Sequence, residues 1–374
     1  MTTGSAEVSS TGATLSGSFS GATGAISETG FYYGTSSGNL GTKVSAVSTS
    51  SPFSKEITGL TEGTTYYYKA YVKEYNESTS SPEERYGSEK SFTVPLSHVP
   101  TGWLELPATT SGSDYYRGIF KVGSARNYTY LYQYSTYTSL WTAYPLYSGV
   151  MSSSKSTKGT TWAKNPVIDE SKQVNVWDAS YNVIYGQTNY VENASTASEY
   201  YARGHQIPNA DRSNVSDMQS QTYYATNSTP QLQNKFNSKI WGTLEGDVRS
   251  IASATDTVYV VTGAAFHKGN GNEDITYIHP KGDPGKSVPV PNYYWKVLLK
   301  VKWSGSGNNK SISEAKAIGV WLPHEQFDKT DYSTYVTSVD QIETWTGFDF
   351  FANLPDDLEA TAETNSRWDI FSSF

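Results

Sequence analysis

The sequence predicts a mostly β protein of two modules, an N-terminal all-β sandwich followed by a larger, β-rich domain with a few helices. Aromatic side chains make up 14% of the 374 residues, and the chain contains 30 tyrosines. Such side chains, together with abundant Gly, Ser and Thr, suit the pleated surface of a sheet. Two prolines within residues 95–100 indicate a short, stiff linker between the modules.

Charge and cysteine content exclude several classes of site. The chain has no cysteine, which excludes disulfides, cysteine-bound zinc and a thiol nucleophile. The formal net charge of −8 argues against tight static binding of nucleic acid, because neutralisation of phosphates dominates such binding. It leaves room for an enzyme that holds one phosphate with a metal ion and a few arginines.

The chain offers little evidence of membrane targeting. No segment is long and apolar enough to span a membrane, and residues 1–5 lack the apolar stretch of a signal peptide. The start fits either a cytoplasmic protein or a mature segment behind a new initiator methionine. The abundance of Ser, Thr, Gly and Tyr favours the second, so we expect a secreted, periplasmic or cell-surface protein.

The first module is expected to occupy residues 1–95. Within residues 66–73 the side chains alternate between two faces, as in a half-buried strand. One face carries Tyr66, Tyr68, Ala70 and Val72, and the other carries Tyr67, Lys69, Tyr71 and Lys73. Turn residues such as Gly59 and Gly63 punctuate the segment at the spacing of a sandwich.

This module resembles the fibronectin type III family over residues 5–95. Leu60 precedes Tyr66 by six residues, as at the corner where that family ties a tyrosine hydroxyl back to the backbone. Residues 28–34 and 91–94 also resemble family strands. The resemblance implies a spacer or adhesive module that contacts cell-surface or extracellular partners, and nothing in it looks catalytic.

The linker is placed at residues 96–112 and the second domain at 113–374. Residues 113–150 are rich in tyrosine, and residues 127–132 and 140–146 are predicted strands. Clustered aromatic rings can stack on bases or sugars. The preferred interpretation is a sheet that fills its core with tyrosine.

The triplet Arg203, Gly204 and His205 is the first candidate for chemistry. It places a fixed cation and a base of ordinary pKa about 6.5 on either side of a glycine that permits close backbone approach. This pairing suits an anionic substrate from which a proton must be removed. Alone, such a histidine is more often structural.

A helix is predicted over residues 231–254. Its apolar stripe comprises Phe236, Ile240, Leu244, Val248 and Ile251. A second stripe borders the first and comprises Asn237, Trp241, Glu245 and Arg249. An amide, a carboxylate and a guanidinium therefore line one edge of the helix, although Glu245 and Arg249 could equally form a surface pair worth about 0.3–0.5 kcal/mol.

These segments resemble the DNA/RNA non-specific endonucleases, a family with a ββα-metal site that includes Serratia nuclease and endonuclease G. The resemblance spans residues 115–368 and implies an α+β domain with a central antiparallel sheet flanked by helices. Besides the Arg-Gly-His triplet, it rests on residues 226–231, 236–245, 258–263, 288–291, 294–297, 317–323, 338–343 and 346–351.

The resemblance implies a role for each matching residue. His205 would be the general base, Arg203 would contact phosphate, and Asn237 would be the sole protein ligand of Mg²⁺, for which Mn²⁺ is a possible substitute. Glu245 would orient water at the metal, and Arg249 would bind phosphate. The expected activity is cleavage of DNA and RNA, contacted through phosphate, to 5′-phosphate products.

Two positions depart from the family pattern. The family usually has aspartate immediately before the arginine, where this chain has Ala202. The family also has a second phosphate-binding arginine upstream, for which Lys158 is the nearest cation. Lysine is a point charge and not a bidentate clamp. We still expect activity, because the base, the metal ligand and Arg203 are present.

Two other functions remain open from the sequence. One is a catalytically impaired surface binding or adhesion protein on a nuclease fold, which Ala202 and the negative net charge favour. The other is a phosphodiesterase or phosphatase that acts on a small molecule.

Three weaker motifs are expected to have no binding or catalytic role. The run 269–274 could hold calcium but is expected to be a solvated loop, and His324 with Glu325 lacks the second histidine of a zinc helix. Asp356, Asp357 and Glu359 are expected to form a solvated acidic face or the first turn of a short helix.

Overall fold

The computed structural model describes residues 1–9, 12–61, 63–94, 102–151, 161–254, 256–307 and 310–374. The chain divides into two compact units. One comprises Met1–Val99 with Ser304–Ser311, and the other comprises Pro100–Trp303 with Ile312–Phe374. Lys158 lies outside the described residues. No helix in the described part of the chain has the length and hydropathy needed to cross a membrane.

The first unit consists of two antiparallel sheets. Its strands are β1 (Thr2–Val8), β2 (Gly12–Ser18), β3 (Ile26–Gly34), β4 (Thr42–Ser45), β5 (Phe53–Thr58), β6 (Thr65–Asn76), β7 (Ser81–Tyr86) and β8 (Lys90–Thr93). One sheet has the order β1-β2-β5. The other has the order β4-β3-β6-β7, and β8 pairs with β6. Apolar side chains from both sheets form the core, among them Leu15, Phe31, Phe53 and Tyr68.

Strand β6 has the predicted alternation. Tyr66, Tyr68, Ala70 and Val72 are buried on the predicted face. Tyr71 is an exception on the opposite face, since it is buried too. The Tyr71 hydroxyl donates to Glu28 (2.7 Å), and the Lys43 ammonium lies 4.4 Å from the centroid of the Tyr71 ring. At the start of the strand, the Tyr66 hydroxyl accepts a hydrogen bond from the backbone N–H of Thr61 (3.1 Å).

The second unit is built on a seven-stranded sheet of order β20-β19-β18-β15-β11-β10-β9. These strands are β9 (Tyr115–Val122), β10 (Ala125–Gln133), β11 (Thr138–Leu146), β15 (Val258–Ala265), β18 (Tyr293–Ser304), β19 (Ser311–Pro323) and β20 (Val336–Thr337). A three-stranded sheet has the order β12 (Val183–Ile184), β13 (Tyr200–His205), β14 (Ser228–Leu232). A two-stranded sheet pairs β16 (Tyr277–Ile278) with β17 (Val288–Pro289).

Alternate residues of one strand belong to two different hydrophobic cores. Since alternate side chains point to opposite faces of a sheet, the two cores lie on opposite faces of the large sheet. On β10, Tyr130 and Tyr132 enter one core, whereas Leu131 enters the other. The buried tyrosines confirm the prediction that tyrosine fills the interior. The helices are α1 (Ser216–Gln221), α2 (Gly242–Ala254), α3 (Val339–Thr346), α4 (Asp356–Ala362) and α5 (Trp368–Ser372).

Residues 102–112, predicted to be part of the linker, pack with the second unit. Leu104 is buried in the core that contains Leu131. Glu105 is also buried and forms an ion pair with Arg126 (2.6 Å). This stretch therefore contributes to the domain that follows it.

The predicted helix over 231–254 is wrong at its start. Gln231 belongs to β14, and Gln233–Trp241 forms a π-helical segment that continues into α2. The backbone departs from helical geometry at Lys239 (φ −117°, ψ −108°), a kink within the π-helical segment shortly before α2 begins. The apolar stripe is confirmed, since Phe236, Ile240, Leu244 and Val248 are all buried.

Candidate active site

His205 lies at the end of β13, which pairs with β14 in a hairpin with a long connection (residues 206–227) that leads into the π-helical segment. Strands β13 and β14 pair antiparallel, with Gly204 opposite Thr229 and His205 opposite Ser228. The side chain of Gln231 covers Gly204, so that a Cβ atom there would lie 2.4 Å from both the Cβ and the Oε1 of Gln231. The glycine in the triplet is therefore required by packing within the hairpin.

The His205 imidazole is held between two aromatic rings. Its centroid lies 4.7 Å from that of Trp162 and 4.9 Å from that of Tyr223. The Nε2 atom is buried and has no hydrogen-bond partner. Burial, and the nearby charge of Arg203, lower the pKa of His205 to about 4. The ring is therefore neutral at pH 7.

Arg203 lies two residues before His205 and so projects from the same face of β13. Its guanidinium carbon lies 5.1 Å from the centroid of the Trp162 ring. Its Nη1 donates to the carbonyl oxygen of Val176 (2.8 Å). These contacts fix the guanidinium beside the imidazole. Among the described residues, no hydrogen bond engages its other nitrogens.

Asn237 lies in the π-helical segment, which contacts both strands of the hairpin. Its Nδ2 donates to Oε1 of Gln233 (3.2 Å). Among the described residues no hydrogen bond reaches its Oδ1. The amide is therefore oriented with its donor engaged and its oxygen available as a ligand. The buried amide of Gln231, at the junction of β14 and this segment, has no hydrogen bond from either of its polar atoms.

Arg249 is held mainly by an aspartate that the sequence analysis did not select. Its Nη1 lies 2.9 Å from Oδ1 of Asp211, but 4.0 Å from Oε2 of Glu245. The other oxygen of Asp211 accepts from the hydroxyl of Tyr144 (2.9 Å). The Asp211 side chain is only 3% exposed. Glu245 and Arg249 do form the i,i+4 pair that the spacing suggested, but the pair is partly buried and Asp211 is the closer partner of Arg249.

Glu245 faces a second cation, the buried Lys296 of β18. The Lys296 ammonium lies 4.3 Å from the centroid of the Trp241 ring and donates to Oγ1 of Thr262 (3.0 Å). Burial raises the pKa of Glu245, and the positive charge of Lys296 opposes this rise. Burial likewise lowers the pKa of Lys296, and Glu245 opposes that shift. Each charge thus stabilises the other.

The structure brings the predicted residues together in two groups. Arg203 and His205 meet at the Trp162 ring, and Glu245 and Arg249 meet beside Asp211. Asn237 lies along the chain between the groups, on the segment that joins β14 to α2. Ala202, where the family usually has aspartate, is buried opposite Gln231 in the hairpin.

Sequence reasoning missed four residues that shape these groups, namely Asp211, Lys296, Trp162 and Tyr223. Asp211 follows His205 by six residues, within the stretch that already attracted notice. Lys296 is the one charged residue within residues 293–299 of β18, and a lone charge in an apolar stretch of a buried strand is a signal for a buried partner.

Comparisons with known proteins assign the family. The sequence model of the DNA/RNA non-specific endonucleases matches residues 113–357, and the chain belongs to this family. A nuclease of Nostoc sp. is 30% identical over 168 residues, which cover 44% of this chain and 55% of that protein. A nuclease of Serratia marcescens is 31% identical over 165 residues, which cover 43% and 55%.

Among solved structures, a chain of the EndoG/EndoGI complex aligns with 69% of this chain and 91% of its own length, with 20% identity and a TM-score of 0.41. The chain spans about half the length of the curated nucleases that it matches, 55% in both cases.

Proposed function

We propose that this protein is a metal-dependent, sequence-nonspecific endonuclease that hydrolyses phosphodiester bonds of DNA and RNA and leaves 5′-phosphate ends. The observation that carries the proposal is the hairpin β13–β14. It presents a neutral histidine beside an arginine and continues directly into the segment that bears Asn237. A base, a cation and an amide oxygen on one ββα element suit hydrolysis of a phosphate diester.

The residues present fit a magnesium ion. The donor of the Asn237 amide is engaged by Gln233, which leaves its oxygen as the available ligand. Oxygen is the donor that Mg²⁺ prefers, and an ion held by one protein group keeps most of its waters. When bound, the ion would supply Lewis-acid stabilisation of charge on the phosphate and on the leaving 3′ oxygen. Manganese would be a substitute with the same ligand preference.

His205 would take the proton from the water that attacks phosphorus. Its lowered pKa keeps the ring in the neutral, proton-accepting form at pH 7. Because Nε2 is buried, Nδ1 is the nitrogen left to meet this water. The rings of Trp162 and Tyr223 hold the imidazole in place, so that the base is positioned before substrate binds.

The remaining side chains would handle charge and the second proton. Arg203 would neutralise a non-bridging phosphate oxygen as charge accumulates there. Arg249 is partly neutralised by Asp211, so its contribution would be smaller. The Glu245 carboxylate would orient the water that protonates the leaving 3′ oxygen. Lys158 is a further proposed phosphate contact.

Contacts of this kind predict broad specificity. Groups aimed at phosphate carry no sequence information. The proposed steps do not use a 2′-hydroxyl, so both DNA and RNA would be substrates.

Cleavage of plasmid DNA and of a long RNA in the presence of Mg²⁺ tests the proposal. We expect His205→Ala to reduce the rate by about 100-fold to 10,000-fold, the usual contribution of a general base. His267→Ala, a histidine on the loop after β15, is the matched control and should cleave at the wild-type rate. Melting temperatures should show that both variants are folded.

Two results would overturn the assignment. Full activity of His205→Ala, or full activity in excess chelator, would remove the base or the metal from the mechanism. An inactive wild-type protein would instead favour the binding-protein alternative. Turnover of a chromogenic diester without cleavage of polymer would favour a small-molecule phosphodiesterase.

For the first unit we propose a fibronectin type III-like domain that acts as a spacer or adhesive module. The order of its strands in two sheets and the hydrogen bond from Thr61 to the Tyr66 hydroxyl support this proposal. We propose a secreted, periplasmic or cell-surface location, which the abundance of Ser, Thr, Gly and Tyr supports.

A further inference from the structure

Three carboxylates converge where helices α3 and α4 meet. Asp340 and Glu343 lie three residues apart on α3 and therefore share one face of the helix. Glu363 directly follows α4, and its carbonyl oxygen accepts a hydrogen bond from the N–H of Val339 (3.0 Å). One oxygen from each of the three carboxylates lies within 4.8 Å of the other two.

The innermost member of this cluster has no partner that offsets its charge. Glu363 is only 4% exposed, and its Oε1 is buried without a hydrogen bond. The Oε1 of neighbouring Glu359 is also buried and without a hydrogen bond. Among the described residues, no Lys, Arg or His forms an ion pair with Asp340, Glu343 or Glu363. An unpaired buried carboxylate is costly, so such groups in proteins either keep a proton or coordinate a cation.

Electrostatics in the cluster are unfavourable in the absence of a cation. Burial, and then the charges of Glu343 and Glu359, raise the pKa of Glu363 to about 10. Burial contributes most to this rise in pKa, and repulsion from the neighbouring acidic groups adds to it. A divalent cation would remove this repulsion and supply the missing partner of Oε1.

We propose that Asp340, Glu343 and Glu363 bind one divalent cation, with Ca²⁺ as the ion that fits best. The donors are all carboxylate oxygens, which suit hard cations such as Ca²⁺, Mg²⁺ and Mn²⁺ better than zinc or copper, for which proteins favour imidazole and thiolate ligands. Ca²⁺ accepts six to eight oxygens in flexible geometry, whereas Mg²⁺ requires a near-ideal octahedron. One ion would join the first turn of α3 to the end of α4 and would stabilise this corner of the domain. The proposal is independent of the nuclease activity and of the metal at Asn237.

Thermal unfolding of the full chain in chelator and in excess CaCl₂ tests the proposal. Calcium should raise the melting temperature of the wild-type protein, because an ion that binds only the folded state stabilises it. Asn237→Ala should show the same increase, since that variant removes the nuclease metal ligand only. Asp217→Asn, which changes an exposed carboxylate on α1, is a matched control and should retain the full increase.

The cluster variants should behave in the opposite way. Glu363→Gln should lose the calcium-dependent increase while unfolding in chelator at or above the wild-type temperature, because it removes an unpaired buried carboxyl group. Asp340→Asn lies at the exposed side of the cluster and gives a second variant that should fold normally and bind calcium more weakly. Titration calorimetry should find one Ca²⁺ site in Asn237→Ala and no such site in Asn237→Ala with Glu363→Gln.

Two outcomes would overturn the proposal. One is an absence of any calcium-dependent change in the wild-type protein, which would mean that a proton alone neutralises Glu363. The other is an equal increase in wild type and in both cluster variants, which would place the ion elsewhere. Neither outcome would bear on cleavage of DNA, and a failure of cleavage would not bear on this site.

Discussion

The buried pair of Lys296 and Glu245 places two charges inside the second unit. Lys296 is only 1% exposed, and its ammonium has the Trp241 ring and the Thr262 hydroxyl as neighbours. Neither neighbour neutralises a full charge, so the electrostatic balance depends on Glu245 and on Asp211 farther away. Removal of one partner should therefore lower the stability of the fold and change the protonation state of the Glu245 carboxylate, to which we assign a catalytic role.

We predict that Lys296→Met destabilises the protein by about 3–5 kcal/mol, because loss of one partner leaves the other charge buried and uncompensated. The same change should raise the pKa of Glu245, so that the acidic limb of the cleavage rate moves to higher pH. The double variant with Glu245→Gln should recover much of the stability but not the activity. Urea unfolding and pH–rate profiles of the three variants provide the measurement. Additive losses in the double variant would show that the two side chains are not coupled.

Residue types could be predicted at this scale, but their partners could not. The sequence indicated His205, Arg203, Asn237, Glu245 and Arg249 by spacing and by resemblance to a family. It did not indicate that Arg249 pairs with Asp211, because 38 residues separate the two and the contact depends on how the chain folds. Helical spacing instead suggested Glu245 as the partner, and that oxygen lies more than 1 Å farther away.

The π-helical segment is anchored at its start by His324, a residue to which the sequence analysis gave little weight. The Nε2 of His324 accepts from the backbone N–H of Leu232 (2.9 Å). Its Nδ1 contacts the carbonyl oxygen of Pro291 (2.8 Å), to which it must donate. These two bonds require the neutral tautomer with hydrogen on Nδ1. His324 thus ties the last residue of β14 to the loop that precedes β18.

At the scale of elements, hydrophobic periodicity predicted the type and the buried face of an element better than it predicted where the element begins. Alternation identified β6, and the apolar stripe identified the buried side of the helix. The start of that helix was wrong, because Gln231 and Leu232 have side chains compatible with either structure. Their strand conformation depends on pairing with Ala202 and Tyr201 and on the distant His324, which local periodicity does not contain.

We predict that His324 makes the stability of the second unit depend on pH. Burial lowers the pKa of His324 from 6.5 to about 4. The unfolded chain therefore binds a proton more readily than the folded one, and the stabilisation is fully present above pH 6.5 and is lost as pH falls toward 4. His324→Ala should unfold more readily at pH 7, by about 1–3 kcal/mol for the stranded Leu232 N–H.

Chemical unfolding of wild type and His324→Ala between pH 7 and pH 4 measures this contribution. The two stability curves should converge as the pH falls, since protonation removes in the wild type what the variant already lacks. Curves that stay parallel over this range would show that His324 is not the titrating group. His279→Ala is a suitable control, because that imidazole contacts only the carbonyl oxygen of Lys286 among the hydrogen bonds of the described residues.

For the whole molecule, the distribution of charge limits how the protein can hold nucleic acid. The net charge is −8. Of the cations near the proposed site, Arg249 is paired with Asp211, and Lys296 is buried beneath Trp241. Arg203 is therefore the principal phosphate contact that we propose, and Lys158 is a second proposed contact that rests on the family resemblance alone. A protein with so few free cations should bind its substrate weakly and release its product readily.

The salt dependence of cleavage should reveal this small number of contacts. Each neutralised phosphate of duplex DNA contributes a slope of about −0.9 to the logarithm of affinity against the logarithm of salt concentration. Two contacts predict a slope of about −2 for kcat/KM on duplex DNA at fixed Mg²⁺, and Arg203→Gln should reduce its magnitude by about 1. Arg367→Gln, which changes an exposed arginine paired with Asp369, should leave the slope unchanged. A slope several times steeper in the wild type would mean that a broad basic surface binds the polymer, which the negative net charge argues against. An unchanged slope in Arg203→Gln would show that this guanidinium does not contact phosphate in the bound state.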